Sequence, residues 1–435
     1  MKKRVFGFLL LAAMISTLLA CSGGKNTPSG TPSAEPVTAG PTEEATPSPV
    51  PTDTPTPTPD TAWYDDMIAR SLMQTGNTYR IRRVIEKAKS GEDVYIGFIG
   101  GSITEGEGAT YQNCYAKQTV KRFAELFGNG NNIHIINAGV SGTPSTLGVI
   151  RYERDLIEKN EGHLPDLLVI EFAVNDADDP TNGETYEGLI RRALYSENEP
   201  AVVLLFSVFR SKWNLQDRCK PLGIHYELPM VSIRDAVVPC LNSGKITNGM
   251  FFNDEYHPKL YGHTIMAECL TYLFEKAAEE DSEAGTPRKD ALKSSSFDNV
   301  HMITGKSTDV KVAAGGFSET DTAVGTTRYD NAKTFPDNFM HTAKSGNKPL
   351  SFTVKAKSIL LTYKKSKSEN FGTVDVYVDG KKVTSINGYD PGGWNNPYTA
   401  VILNADTVAT HKVEVKMAQG SEGKDFTVMA FGYGD

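Results

Sequence analysis

The 435-residue sequence lacks features that several large protein classes require. Its five cysteines include no Cys-x-x-Cys pair and form no cluster with the eight histidines, so the usual spacing of a zinc site is missing. Basic residues do not cluster beyond Lys2-Lys3-Arg4 and the net charge is −8, which argues against a nucleic-acid partner. Beyond the N-terminal segment, no apolar run has the length of a bilayer-spanning helix. We therefore expect no metal, no nucleic acid and no multi-span membrane protein.

The N terminus has the organisation of an export signal. Three basic residues precede an apolar run over residues 5–20, which is shorter than a spanning helix. The run ends in Leu18-Leu19-Ala20-Cys21, which resembles the lipobox of bacterial lipoproteins, in which the cysteine becomes the lipidated N terminus. We predict a signal peptide at 1–20, lipidation of Cys21 and a location on the extracellular face of a bacterial membrane. An ordinary secretory signal is the alternative.

Residues 21–60 have the composition of an unfolded spacer. Of the 35 residues from 26 to 60, ten are proline and nine are threonine. Such a segment cannot bury a core and favours extended polyproline II geometry. We predict a disordered linker that holds the rest of the chain away from the membrane. The lipid on Cys21 is then the only expected membrane contact.

Four further cysteines lie in the middle of the chain, at Cys114, Cys219, Cys240 and Cys269. Export would permit disulfides, and four cysteines allow three pairings. The alternative is that all four are small buried hydrophobic residues, a common role of free cysteine. The sequence leaves both possibilities open.

Residues 61–285 alternate between short apolar runs and helical patterns. Runs with the length of buried strands lie at 94–99, 133–137, 167–172, 201–208 and 230–233. Helical spacing is found at 111–127, 146–160, 184–196, 233–242 and 258–278. This alternation predicts an α/β fold with a parallel five-stranded sheet in a three-layer α/β/α arrangement. Because ligands of such sheets bind at the carboxyl ends of the strands, we expect the chemistry there.

Polar motifs follow the first three predicted strands, and a fourth lies near the end of this unit. They are Gly100-Gly101-Ser102, Ser141-Gly142-Thr143, Val174-Asn175-Asp176 and Asp254-Glu255-Tyr256-His257. A serine hydroxyl needs a base for its proton, and a histidine base needs a carboxylate to orient it. We predict Ser102 as nucleophile, His257 as base and Asp254 as its partner, with no metal or cofactor. The predicted oxyanion donors are the N–H groups of Ser102 and Gly142 and the side-chain amide of Asn175.

In this order the four motifs resemble the blocks of the SGNH (GDSL-like) hydrolase superfamily, which carry a serine, a glycine, an asparagine and an Asp-x-x-His pair. The resemblance covers residues 90–275 and implies a flavodoxin-like α/β fold and ester hydrolysis. Gly101 stands where many members have Asp, and Ala173 stands where many have Gly. The Gly-Gly-Ser form resembles a branch rich in bacterial acetyl carbohydrate esterases.

The expected substrate is an acetylated polysaccharide or oligosaccharide, such as plant xylan or mannan. An exported acidic esterase with polar motif loops suits a neutral polymer outside the cell. Trp213 and Arg210 follow the fourth predicted strand at the ligand edge and are candidate substrate contacts. A packed loop aromatic and a solvated charge are the alternatives at these positions.

Three other functions remain open at this point. The first is a lipolytic or broad-specificity carboxylesterase, and the second is a carbohydrate-binding surface lipoprotein with incidental esterase activity. The third is an O-acetyltransferase, which uses the same catalytic groups but passes the acyl group to a sugar.

The C-terminal residues show a different periodicity. Residues 279–293 are charged and small and are typical of a linker. Residues 295–435 contain several short alternating segments with turn signals, including a hairpin at 373–386 around Asp379-Gly380. They predict an all-β sandwich, jelly-roll-like, which weakly resembles accessory carbohydrate-binding modules. Trp394, on a Gly/Pro/Asn loop, is a candidate sugar platform or lid, with a packed loop aromatic as the alternative.

Overall fold

A computed structural model of the chain describes residues 61–435. The predicted signal peptide at 1–20, the lipidation site Cys21 and the linker at 21–60 lie outside the described residues. The chain divides into two units, residues 1–59 and residues 60–435, and everything below concerns the second. None of the helices in residues 61–435 combines the length and apolar character needed to cross a membrane.

The first part of the described chain is built on a six-stranded sheet. Its strands are β1 (Leu72–Gln74), β2 (Val94–Gly100), β3 (Ile133–Gly139), β4 (Leu167–Glu171), β5 (Ala201–Phe206) and β6 (Met230–Ser232), in the spatial order β1-β6-β5-β4-β2-β3. Strands β2 to β6 are parallel and correspond to the five predicted strands. The prediction of a purely parallel sheet missed β1, which pairs antiparallel with β6 and makes the sheet mixed. Its three half-buried residues are too few to show a period.

Helices cover both faces of this sheet and give the predicted three layers. They are α1 (Ala62–Arg70), α2 (Tyr79–Ser90), α3 (Ser102–Glu105), α4 (Tyr115–Phe127), α5 (Ser145–Leu156), α6 (Glu184–Leu194), α7 (Gln216–His225), α8 (Ile233–Asn242), α9 (Asn248–Phe251) and α10 (Leu260–Glu279). Short 3-10 turns lie at Tyr111–Asn113, Glu158–Asn160 and Asn175–Asp178. One apolar core joins the sheet to α1, α2, α4, α8 and α10, and a second joins it to α5, α6 and α7.

The strands feed both cores because successive side chains point to opposite faces. In β4, Leu167 and Val169 enter the first core, whereas Leu168 and Ile170 enter the second. A strand buried on both faces is apolar throughout, which is why these runs were recognisable in the sequence.

The C-terminal part is all-β, as predicted. Its strands are β7 (Val300–Ile303), β8 (Phe339–His341), β9 (Leu350–Ser366), β10 (Thr373–Val378), β11 (Lys381–Asn387), β12 (Trp394–Met417) and β13 (Phe426–Gly434). Hydrogen bonding joins them into one antiparallel sheet in the order β11-β10-β12-β9-β13-β7, with β8 beside β13. The predicted hairpin is present as β10 and β11, and Asp379 and Gly380 take the positive φ values of 52° and 76° that its turn requires.

The two parts share a core. The second apolar cluster, which contains helix α5, also contains Phe297, Val300, Leu360 and Met429 of the C-terminal part. The connecting segment is irregular, as predicted, but it is held in place: the Glu187 carboxylate accepts hydrogen bonds from the amides of residues 292, 293 and 294 at 2.6–3.0 Å. Residues 295–435 therefore pack on the α/β layer as a fixed body.

The four cysteines in the described part of the chain are all unpaired. Cys114, Cys219, Cys240 and Cys269 are buried thiols, so the possible disulfide is absent and the alternative role as small core residues is confirmed. Burial raises the pKa of Cys269 to about 12, which keeps this thiol protonated and unreactive.

Candidate active site

The structure brings Ser102, His257 and Asp254 into one hydrogen-bonded chain. Ser102 is the first residue of α3, directly after β2 and Gly101, and its Oγ lies 2.8 Å from His257 Nε2. His257 Nδ1 lies 2.9 and 2.8 Å from the two carboxylate oxygens of Asp254. Since Nδ1 faces a carboxylate, it carries the proton, and Nε2 is left to accept the proton of Ser102. This is the arrangement of a nucleophile, a base and an orienting acid.

Backbone amides hold the Asp254 carboxylate in place, in addition to its contact with the His257 ring. One carboxylate oxygen accepts from the amides of Tyr256 at 2.8 Å and His257 at 2.9 Å. Burial acts to raise the pKa of Asp254, but these hydrogen bonds and the His257 ring outweigh it and hold that pKa below its ordinary value. The three-residue spacing thus gives a compact turn in which the acid stays ionised.

Asn175 packs directly on the backbone beside the nucleophile. A Cβ added to Gly101 would come within 2.1 Å of Asn175 Oδ1, so the amide occupies the space that any side chain at position 101 would need. Oδ1 is buried without a hydrogen-bond partner in the described part of the chain. With Asn175 in this position, a glycine at position 101 is therefore required.

Gly142 lies in the loop after β3 with φ of +69°, a conformation that L side chains rarely adopt. A Cβ at this position would also come within 2.9 Å of Cζ2 of Trp394, so the indole rests on the glycine. Within residues 61–435, the amides of Ser102 and Gly142 donate to no protein acceptor. These free donors and the Asn175 amide are the groups that an oxyanion would need.

The two candidate tryptophans both lie in the open. Trp394 is 54% exposed and contacts Gly142, so the C-terminal part reaches the loop that carries a predicted oxyanion donor. Trp213 is 47% exposed and stacks on Phe209 with ring centroids 5.5 Å apart. The ring centroids of Phe209 and Tyr256 lie 5.8 Å apart, and Tyr256 precedes His257 in the chain. The three rings therefore form a row that leads away from the base.

Arg210 is less well placed as a substrate contact. Its guanidinium lies 3.3 Å from a carboxylate oxygen of Glu255, and both side chains are exposed. Its amide donates to the carbonyl of Glu255 at 3.0 Å, which ties the loop after β5 to the Asp254–His257 turn. The contact seen for Arg210 is therefore with the protein, in line with the alternative of a solvated charge.

Residues 98–265 match the GDSL-like lipase/acylhydrolase family. They contain all five residues of the predicted catalytic centre and oxyanion hole. The segment is a GDSL-like acylhydrolase domain. The resemblance of the four motifs to this family is thereby confirmed.

Solved structures extend the comparison to the C-terminal part. Two crystal structures of a two-domain esterase active on acetylated mannans share 27% identity with this chain, covering 85% of it and 98% of their own chains. Their TM-scores are 0.73, for the form co-crystallised with mannopentaose, and 0.74. A lipase/acylhydrolase from Enterococcus faecalis shares 19% identity over 44% of this chain and 100% of its own, with a TM-score of 0.33. No curated protein sequence matches. The protein is a carboxylic ester hydrolase.

Behind the nucleophile of the acylhydrolase domain lies a buried cation that motif reasoning missed. Arg151, on helix α5, is fully buried and donates to the carbonyls of Gly100, at 2.8 Å, and Ala138. It therefore ties together the ends of β2 and β3, from which the Ser102 and Gly142 loops emerge. Its charge is met by Asp155, 3.2 Å away and equally buried. An arginine four residues before an aspartate, on the helix that follows the Gly142 loop, is the signal that could have pointed to it.

A second buried support lies next to Asn175. Asp176 accepts a hydrogen bond from the amide of Ser145 at 2.7 Å and so fixes the start of α5 to the Asn175 turn. Burial and the neighbouring Asp179 raise the pKa of Asp176 to about 8. This carboxyl group therefore holds its proton near neutral pH.

Glu171, at the end of β4, is a third buried acid in the acylhydrolase domain. Ser207 and Thr104 lie near its carboxyl group and act to lower its pKa, but burial outweighs them and raises that pKa to about 7. His263 has a structural role, in contrast to His257, whose ring faces Ser102. It is buried between the amide of Tyr115 and the carbonyl of Glu107, and burial lowers its pKa to about 4.

Among residues 61–435, no group of His, Cys, Asp and Glu is arranged to hold a metal.

Proposed function

We propose that the protein is a serine acetyl esterase that removes O-acetyl groups from plant cell-wall polysaccharides or their oligosaccharides, such as acetylated mannan or xylan. The observation that carries this proposal is the Ser102–His257–Asp254 chain set beside an exposed tryptophan of the C-terminal part. The similarity to a two-domain esterase active on acetylated mannans supports it, because the match covers 98% of that chain and so includes both parts.

The proposed reaction begins with attack of Ser102 Oγ on the acetyl carbonyl carbon. The proton of Ser102 passes to His257 Nε2, 2.8 Å away, and Asp254 stabilises the imidazolium through Nδ1–H. The oxyanion of the tetrahedral intermediate accepts hydrogen bonds from the amides of Ser102 and Gly142 and from the Asn175 side chain. The bond to the sugar oxygen then breaks, and His257 donates its proton to that oxygen.

The second half of the reaction regenerates the enzyme. A water molecule gives a proton to His257 Nε2 and attacks the acetyl group on Ser102. Collapse of the second tetrahedral intermediate releases acetate and returns the proton to Ser102 Oγ. The proton transfers between Ser102 and His257 use a contact that the structure already holds at 2.8 Å.

Sugar binding is proposed to involve the exposed rings of Trp394 and Trp213. Trp394 presents an indole against the Gly142 loop, and Trp213 ends the aromatic row that starts at Tyr256. Aromatic faces pack well on sugar rings because the C–H groups on one face of a sugar ring form an apolar surface. Arg210 borders this row and is the weakest of the three proposed contacts.

The proposed cellular setting comes from the sequence. A lipid on Cys21 and the Pro/Thr-rich linker at 21–60 would hold the esterase on the extracellular face of a bacterial membrane. There it would meet soluble acetylated polymers that cannot enter the cell.

Acetate release from acetylated mannan, xylan and pectin tests the proposal, with wild type and Ser102→Ala measured side by side. Wild type should release acetate from at least one polymer, and Ser102→Ala should lose on the order of 10⁴-fold or more in kcat, because nothing else in the site can form the acyl-enzyme. Aryl acetate should be a better substrate than aryl octanoate, and free acetate should be the product. A preference for octanoate would favour a lipolytic enzyme, acetylated acceptor sugar would favour a transferase, and equal activity of Ser102→Ala would refute the mechanism.

A further inference from the structure

Glu105 is a buried carboxylate that neither the predicted catalytic groups nor the proposed reaction uses. It ends helix α3, three residues after Ser102, and is only 1% exposed. A buried carboxylate is costly unless donors surround it. Both of its oxygens have such donors, and the donors come from two different parts of the molecule.

The first oxygen holds the loop that follows β3. Glu105 Oε2 accepts a hydrogen bond from the Ser141 amide at 2.8 Å and a second, shorter one from Ser141 Oγ. Ser141 immediately precedes Gly142, whose free amide is the proposed oxyanion donor. Hydrogen bonds to a carboxylate are roughly twice as strong as neutral ones, so this pair fixes the peptide that leads into Gly142.

The second oxygen holds a loop of the C-terminal part. Glu105 Oε1 accepts from the amide of Arg328 at 2.8 Å, a contact that spans 223 positions of the chain. Arg328 lies in the tight loop 326–333, which is closed by hydrogen bonds from Thr327 N to Ala332 O at 2.9 Å and from Asn331 N to Thr327 O at 3.0 Å. The Arg328 side chain also pairs with Glu107. Arg328 therefore contacts the acylhydrolase domain through both its amide and its guanidinium.

We propose that Glu105 is a positioning residue that sets the Gly142 amide for oxyanion binding, and that loop 326–333 completes its hydrogen bonding. This inference rests on the proposed function, since it assumes that Ser102 forms a tetrahedral intermediate. Without the Arg328 amide, one carboxylate oxygen would be left buried and unpaired, and Glu105 would be free to turn away from Ser141. The C-terminal part is thus required for the oxyanion hole as well as for sugar contact.

The test compares Glu105→Gln, Ser141→Ala and the double variant on 4-nitrophenyl acetate. A glutamine keeps one acceptor but turns an NH₂ group toward N–H donors, so kcat should fall about 30-fold with KM changed less than about twofold. Ser141→Ala keeps the amide and loses only the hydroxyl, so about threefold is expected. Both changes disrupt the same hydrogen-bonded contact between Glu105 and Ser141. The double variant should therefore be no slower than Glu105→Gln alone.

A transition-state readout separates positioning from general stability. Phenylboronic acid forms a tetrahedral adduct with the serine oxygen, and its affinity should fall by the same factor as kcat in each variant. Glu125→Gln makes the same chemical change on the exposed face of α4 and should match wild type. Additive effects of the two changes, or a lower melting temperature with unchanged kcat and boronate affinity, would overturn the proposal.

Two further outcomes keep the result interpretable. If Glu105→Gln does not fold, Ser141→Ala alone decides, because an unchanged kcat and boronate affinity in that variant contradicts the linkage. If wild type hydrolyses no acetyl ester and equals Ser102→Ala, the proposed function itself has failed. In that case a boronate affinity of wild type that exceeds that of Ser102→Ala would show that Ser102 is still reactive and that only the substrate proposal has failed.

Discussion

Ser102, Gly142 and Asn175 follow the ends of three buried parallel strands, whereas Trp394 opens a strand of the C-terminal sheet and is more than half exposed. The first set lies on a scaffold packed on both faces and is held by buried polar groups such as Arg151 and Asp176. Trp394 reaches the Gly142 loop from the C-terminal part. The proposed chemistry, which tolerates little displacement, would therefore lie on the rigid part, and the proposed sugar contact would lie at the edge.

The two regions also differ in the kinetic effect that is expected when a group is removed. Losing a donor inside the oxyanion hole removes an interaction that strengthens as the transition state forms, so kcat falls. Losing an exposed ring removes binding that is shared by bound substrate and transition state, so the effect appears only with substrates that reach the ring. Variants in the two regions should therefore differ in kind as well as in size.

The largest effect that sharpens this comparison is expected from Asn175→Ala. Loss of one oxyanion donor should cost about 3 kcal/mol in transition-state stabilisation, or on the order of 100-fold in kcat, with KM little changed. Steady-state kinetics on 4-nitrophenyl acetate measure this directly. Asn248→Ala, an exposed position at the start of α9, serves as the control. An unchanged kcat would remove Asn175 from the oxyanion hole.

A smaller and more selective effect is expected from Trp394→Ala. Loss of aromatic stacking on a sugar should cost about 1 kcal/mol, or roughly fivefold in kcat/KM on acetylated manno-oligosaccharides. Activity on 4-nitrophenyl acetate should stay within about twofold, because that substrate has no sugar to stack. Val383→Ala, 41% exposed on strand β11, controls for changes elsewhere on the C-terminal sheet. Equal losses on both substrates would mean that Trp394 supports the Gly142 loop and not the sugar.

The last effect concerns the free energy of unfolding and not catalysis, and it comes from Glu171→Gln. In the folded protein burial raises the pKa of Glu171 from 4.5 to about 7, so between these values the unfolded chain releases a proton that the folded protein keeps. The free energy of unfolding of wild type should therefore fall as pH rises from 4.5 to about 7, and Glu171→Gln should lack this part of the decline. Thermal unfolding of both proteins across that range measures it, and a difference that is constant with pH would contradict the account.

Sequence reasoning succeeded where the physical cause is local. Strands buried on both faces are apolar throughout, so β2 to β6 were predictable, and the turn from Asp254 to His257 is set by a three-residue spacing. The mixed character of the acylhydrolase sheet was missed because β1 has only three residues. The strand order of the C-terminal part was not predictable, because one long strand, β9, pairs with both β12 and β13, which alternation alone does not reveal.

What could not be predicted depends on contacts between distant segments. Trp394 was a candidate from its loop, but only the fold shows that it rests on Gly142. Glu105 sits inside the serine motif, yet its role depends on Ser141 and on an amide 223 positions away. The cysteines illustrate the same limit, because pairing depends on distance in space and all four proved to be isolated in the core.

One crossed measurement tests the division between the two regions most directly. It is the ratio of kcat/KM on an acetylated manno-oligosaccharide to kcat/KM on 4-nitrophenyl acetate, determined for wild type, Asn175→Ala and Trp394→Ala. The account predicts that Asn175→Ala lowers both activities together and leaves the ratio unchanged, whereas Trp394→Ala lowers the ratio. A ratio that changes in Asn175→Ala, or stays constant in Trp394→Ala, would contradict it.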